Sequence, residues 1–107
     1  MGAVDTYWEH KLDSAGDESL RVRIVYDEFS AKIFRFAVIY LTKTDDGFVE
    51  VVRFDASEKE LIHAHKFYGA KEEKHRIEKE LSFDSIQEIV EEIIIKWPKF
   101  KLAFYRE

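Results

Sequence analysis

The residues of this chain whose types and spacing best suit chemistry are Arg53, Asp55, His63 and His65. Residues two apart on an extended strand point the same way, so both imidazoles of His63-Ala64-His65 can address one point. Two such rings can hold a metal or divide acid and base roles near neutral pH. A zinc site needs a third ligand. Asp55, His75 and His10 are the candidates, but no spacing places any of them beside the pair. The expectation is therefore no metal and no cofactor. Metal-free cleavage of RNA needs one group to deprotonate a 2′-hydroxyl and another to protonate the leaving oxygen. It also needs a cation to stabilise charge on the phosphorus. The two histidines suit the first two roles and Arg53 the third, with Asp55 orienting one imidazole and fixing its tautomer. The plainer alternative is a surface ion-pair cluster in a protein that acts by binding alone.

Arg21, Arg23 and Arg35 form a second group. They can pair with carboxylates on neighbouring strands, which contributes little at an exposed surface. They can also form a cationic sheet face for phosphates, with Tyr or Phe available to stack bases. A third reading is a subunit interface, apolar at its centre and charged at its rim. Val25, Ala37, Ile39, Leu41, Val49 and Val51 would supply that centre.

Length and composition bound these options. The chain has 107 residues, enough for one domain and one core. Its hydrophobic content of 46% argues against disorder. Its 22 acidic and 17 basic side chains give a net charge of -5, which disfavours general coating of nucleic acid but leaves room for a local basic face. No cysteine is present, so disulfides, thiolate metal sites and cysteine nucleophiles are excluded. The sequence contains no phosphate-binding glycine loop, helical HExxH, nucleophile elbow or calcium loop. No apolar run is long enough to span a membrane, and the first residues do not read as a signal peptide. The expected location is the cytoplasm.

The elements that must position these residues read as strands followed by a helix. Residues 19–28 alternate Leu20, Val22, Ile24 and Tyr26 against Arg21, Arg23 and Asp27, the period of a half-buried strand. Residues 31–43 are apolar on both parities, interrupted by Arg35. The Asp46-Gly47 pair predicts a hairpin into residues 47–56. Residues 57–61 read as a loop and 62–68 as a strand. Gly69-Ala70 turns into a charged edge strand over 73–81. Residues 7–12 suggest an extra strand, joined to the next through the turn-like residues 13–17. From Ser82, the residues Phe83, Ile86, Ile89, Val90, Ile93, Ile94 and Trp97 form a helical stripe. Ser82 caps the helix, and Pro98 ends or kinks it, leaving an extended tail. The predicted fold is α+β: an antiparallel meander of four to six strands with one C-terminal amphipathic helix packed on one face. Tyr26, Phe34, Phe36, Tyr40, Phe48 and Phe54 should face the helix, and the arginines with Asp55 should face away.

This order of features resembles the TumE-like toxins, small bacterial and archaeal proteins, and related domains. The matching residues are Val52-Arg53-Phe54-Asp55 at a strand end, then His63-Ala64-His65-Lys66, a charged hairpin and a helix ending near Trp97. The family has another histidine shortly after the Asp, where this chain has Ala56-Ser57-Glu58-Lys59. The resemblance spans roughly residues 20–100. It implies the toxin half of a toxin–antitoxin pair acting on RNA or translation, with an antitoxin protein as partner. The reading from another class is a non-enzymatic binding or scaffold domain. The doubly apolar strand predicts a homodimer, unless the Tyr7-Trp8 segment folds back as the cover.

Overall fold

The structure, a computed structural model, describes residues 2–57, 61–67 and 72–106. Six strands run in order: β1 (Ala3–Lys11), β2 (Glu18–Asp27), β3 (Ile33–Thr44), β4 (Gly47–Ser57), β5 (Ile62–Lys66) and β6 (Glu73–Ile77). One helix, α1 (Phe83–Arg106), follows. Every neighbouring pair is antiparallel, and the sheet order is the chain order, β1 to β6. Of the expected loop over 57–61, Ser57 belongs to β4 and residues 58–60 lie outside the described residues, as do the turn at Gly69-Ala70 and Tyr68 at the end of the expected fourth strand. No helix among the described residues is long and apolar enough to cross a membrane.

Turn chemistry sets the hairpins. The Asp13 carboxylate accepts from the Gly16 and Glu18 amides at 3.0 and 3.1 Å, and Gly16 takes φ 79°. Gly47 takes φ 103° between β3 and β4, a conformation that costs a glycine little. Between β2 and β3, the Asp27 carboxylate accepts from the amide and hydroxyl of Ser30.

Two irregularities in register correct the simple parity of the sequence. Between Val25 and Tyr26 the pairing jumps from Arg35 to Ile33, leaving Phe34 unopposed. Ile33 then enters the core at 5% exposure, and Phe34, expected there, is only half-buried. Between Tyr40 and Leu41 the partner jumps from Val52 to Glu50, which makes Val51 the extra residue of a bulge. Beyond it, β4 is flipped. Phe48 therefore leaves the helix side and lies with Glu9, Lys11, Ser19 and Arg21 on the opposite face. Val49, expected on that opposite face, pairs with Thr42 on the helix side.

The helix lies against β3 and β4. Its Ile86, Ile89, Val90 and Ile93 join Leu20, Val22, Phe36, Val38, Tyr40, Val52 and Phe54 in one core. Ser82 caps it, accepting from the Ser85 amide at 3.1 Å. Tyr26 meets Phe83 edge-on at 5.4 Å. Contrary to the expected end near Trp97 and the extended tail, the helix runs through Pro98 to Arg106. The reason is the inner stripe: Trp97, Phe100 and Phe104 continue it and pack on the core. Pro98 itself is exposed. Burying three aromatics outweighs a proline penalty of about 3 kcal/mol.

A buried ion group ties this second half of the helix to the sheet. Glu18 is 1% exposed, and it accepts from the Tyr40 hydroxyl at 2.5 Å and from Lys101 Nζ at 2.9 Å. Desolvation, and then the bond to Glu18, push the Tyr40 phenol far above its ordinary range. The hydrogen bond to Glu18 likewise raises Lys101.

Two outcomes follow. Pro98→Ala should recover about 2 kcal/mol, the penalty less the unfolded-state entropy that proline removes, and raise the thermal midpoint by about 8–16 °C; an unchanged midpoint would mean that no helix is interrupted there. Lys101→Met removes one of the two partners of a buried carboxylate. The Lys101 side chain is 39% exposed, which screens the pair, so the expected loss is about 1–2 kcal/mol by chemical denaturation. Lys96→Met, at the exposed pair with Glu92, should cost no more than about 0.5 kcal/mol.

Candidate functional site

The helix covers one face of the sheet, and the pairing register builds the other as rows of facing side chains. One row reads Tyr7, Arg23, Ala37, Asp55, His63, Arg76 from β1 to β6. The adjacent row reads Glu9, Arg21, Ile39, Arg53, His65, Lys74. Arg35 sits in the next row between Val25 and Ser57. Five of the chain's six arginines, at 21, 23, 35, 53 and 76, thus lie on this face.

The four residues singled out for chemistry are brought together. Arg53 is directly opposite His65, and Asp55 directly opposite His63. The Asp55 carboxylate lies 3.3 Å from His65 Nε2, and Glu72 lies 2.7 Å from His65 Nδ1. The His65 ring therefore has a carboxylate on each nitrogen and is held flat over Phe67, the ring planes 9° apart. His63 stands next to it, ring centroids 6.5 Å apart. Arg53 donates to Glu50 at 2.6 Å and lies 3.9 Å from Asp55. The hydrogen bond to Glu50 raises the Arg53 guanidinium further above the working range.

A cavity of about 340 Å³ opens beside this cluster, lined by Tyr7, Arg21, Arg23, Ile39, Arg53 and Asp55. Arg21 and Arg23, expected as binding residues, line it; Arg35, expected with them, does not. Arg21 pairs with Glu9 at 2.9 Å. Arg23 grips Asp5 with two bonds, at 3.0 and 2.7 Å, and these hold the Asp5 carboxyl below its usual range, with Arg35 adding a smaller effect. The apolar centre predicted for this face is reduced to the half-buried Val25, Ala37 and Ile39, since Leu41 is buried there at 5% exposure. β1 does not fold back over it but extends the sheet as an edge strand, with Tyr7 57% exposed.

Two partners, Glu50 and Glu72, are invisible in the sequence pattern. Residues 50 and 53 of a regular strand point to opposite faces. The bulge at Val51 restores them to one face and makes their ion pair possible. Glu72 reaches His65 from just before β6, a contact that depends on the β5–β6 hairpin.

The family of the chain follows from comparison with known proteins. A family model described as a domain of unknown function, DUF7718, matches residues 3–107. The chain belongs to the DUF7718 family. That description assigns no activity to DUF7718 and does not connect it with the TumE-like toxins. No curated protein and no solved structure matches.

Among the described residues, no group of three His, Asp or Glu side chains is arranged to hold a metal ion. The apolar core is large and needs no ion to close it. A chelator should leave the thermal midpoint unchanged. A fall of many degrees would assign a structural ion to His63 and His65.

Proposed function

We propose that this DUF7718 protein acts on RNA through its open sheet face, as the toxin component of a toxin–antitoxin pair with an antitoxin protein as partner. The observation that carries this reading is the registration of Arg53 with His65 and Asp55 with His63, beside a cavity lined by three arginines. The arginines are already paired with carboxylates, but exposed pairs of this kind are worth less than about 1 kcal/mol. A phosphate can replace the carboxylates at small cost and receive the same two-pronged guanidinium bonds. Tyr7 at the cavity edge offers a ring for a base to stack on.

In this reading a phosphodiester sits between Arg53 and the two imidazoles. One imidazole takes the proton of the 2′-hydroxyl as its oxygen attacks the phosphorus. The other returns a proton to the departing 5′-oxygen. Arg53 bonds the non-bridging oxygens as charge builds on them. Glu72 holds the His65 ring through Nδ1, and the longer 3.3 Å contact from Asp55 gives way so that Nε2 faces the substrate.

Expression of the unmodified protein should arrest growth, and it should cleave RNA in chelator-treated extract. His63→Ala and His65→Ala should each slow cleavage by roughly 100-fold or more. Intact RNA with the unmodified protein removes the enzymatic reading. Toxicity that survives both substitutions moves the mechanism away from the histidines.

A second reading is a non-enzymatic binding or scaffold domain whose open face meets another copy. What favours it is the pairing of each cavity arginine with a carboxylate around Ala37 and Ile39, the pattern of a surface that is charged at its rim and apolar at its centre.

A further inference from the structure

The outer surface of α1 carries a second, exposed stripe, of which the fold engages only Glu88, paired with Lys79, and Tyr105, at the edge of a cavity beside Lys43. Asp84, Glu88, Glu91, Ile95, Pro98, Leu102 and Tyr105 recur at alternating steps of four and three, and all seven are exposed. That spacing makes one continuous seam along a helix, the spacing by which two helices meet side by side. Ile95 is 75% exposed, Leu102 59% and Tyr105 56%, whereas Ile93, on the inner face, is at 0%. A row of exposed large apolar side chains on a helix already anchored to its own core is the kind of patch that marks an interface.

Charge along the seam identifies the occupant. Its first half is acidic, with Asp84, Glu88 and Glu91. Its second half is apolar and flanked by Lys99 and Arg106. Laid antiparallel about a twofold axis between Pro98 and Lys99, two copies overlap from Glu91 to Arg106 and set their apolar halves against each other, with Asp84 and Glu88 outside the overlap. Ile95 of one then faces Leu102 of the other, and Glu91 faces Arg106. Glu88 is engaged by Lys79 at 2.6 Å and Glu92 by Lys96, but Glu91 and Arg106 form no ion pair with a described residue. A parallel pairing would instead set acidic half against acidic half.

We propose that the outer face of α1 is a homodimer interface, in which two copies pair their helices antiparallel around Ile95 and Leu102. The contact is isologous, as a twofold dimer requires. It lies on the side of the molecule opposite the arginine face, so both open sheet faces stay accessible in the dimer. It does not depend on the proposed action on RNA.

Sedimentation velocity of the full chain from roughly 1 to 500 µM tests this, with circular dichroism melts to check each variant's fold. The unmodified protein should shift from monomer to dimer over that range. Ile95→Glu should keep the dimer fraction below a tenth at the top concentration. Glu91→Arg and Arg106→Glu should each weaken association by about tenfold, and the double exchange should restore it. These positions are exposed, so the melts should change little. A monomer throughout overturns the proposal. So does association that survives Ile95→Glu but is lost in Ile39→Asp, which would place the dimer on the sheet face. Failure of the double exchange to restore association overturns the antiparallel register.

Discussion

One helix cannot cover both faces of a six-stranded sheet, and the rest of this structure depends on that constraint. Most side chains of the sheet are therefore either on the face that α1 covers or on the open one, where Leu41 and Ser19 are buried exceptions. Period-two alternation then separates Leu20, Val22 and Ile24 from Arg21 and Arg23 with no further device. The open face can hold charge because Arg21 and Arg23 pair with carboxylates at the surface, around a cavity that Ala37 and Ile39 help to line. Concentrating arginine here, in a chain of net charge -5, gives the face a chemistry distinct from that of the whole.

The helix needs its own anchor because only part of its length rests on the apolar centre of the sheet. Its first half is held by Ile86, Ile89, Val90 and Ile93. Its second half carries Pro98 and would fray without a reason to stay. Trp97, which meets Tyr40 at 6.2 Å, and the Lys101–Glu18–Tyr40 group supply that reason. A buried carboxylate with one cation and one hydroxyl is weak evidence of net stabilisation, because desolvation offsets much of the attraction. Its consequence is positional: it fixes where the end of the helix sits over β2 and β3.

The bulge at Val51 links the fold to the candidate site. It costs a paired residue in β4, yet Val51 stays at 0% exposure, so the extra residue is packed rather than extruded. In return it turns Glu50 toward Arg53 and sends Phe48 to the open face. One inserted residue thus both holds the guanidinium and reshapes the surface around it. The two faces with apolar or cationic surface to offer, the sheet face and the outer seam of α1, point in opposite directions, so occupation of one does not block the other.

The sequence by itself determined the class of the fold, an antiparallel meander of four to six strands, the Ser82 cap and the side of the sheet on which Arg21, Arg23, Arg53 and Asp55 stand. Alternation, hairpin turn chemistry and helical periodicity are local properties, and each strand pairs with the next along the chain. Locality also explains why Arg53 and Asp55 could be grouped with His63 and His65 before their register was known. What only the tertiary structure decided depends on residues distant in sequence. The helix passes Pro98 because Trp97, Phe100 and Phe104 find a core to bury in, and local propensity carries no knowledge of that core. The two register shifts move Phe34, Phe48 and Val49 because a bulge is set by the partner strand, not by the strand's own pattern. Arg35 falls outside the cavity and Glu50 and Glu72 fall within reach of Arg53 and His65 for the same reason: side-chain neighbours across a sheet are fixed by register, a quantity that belongs to pairs of strands.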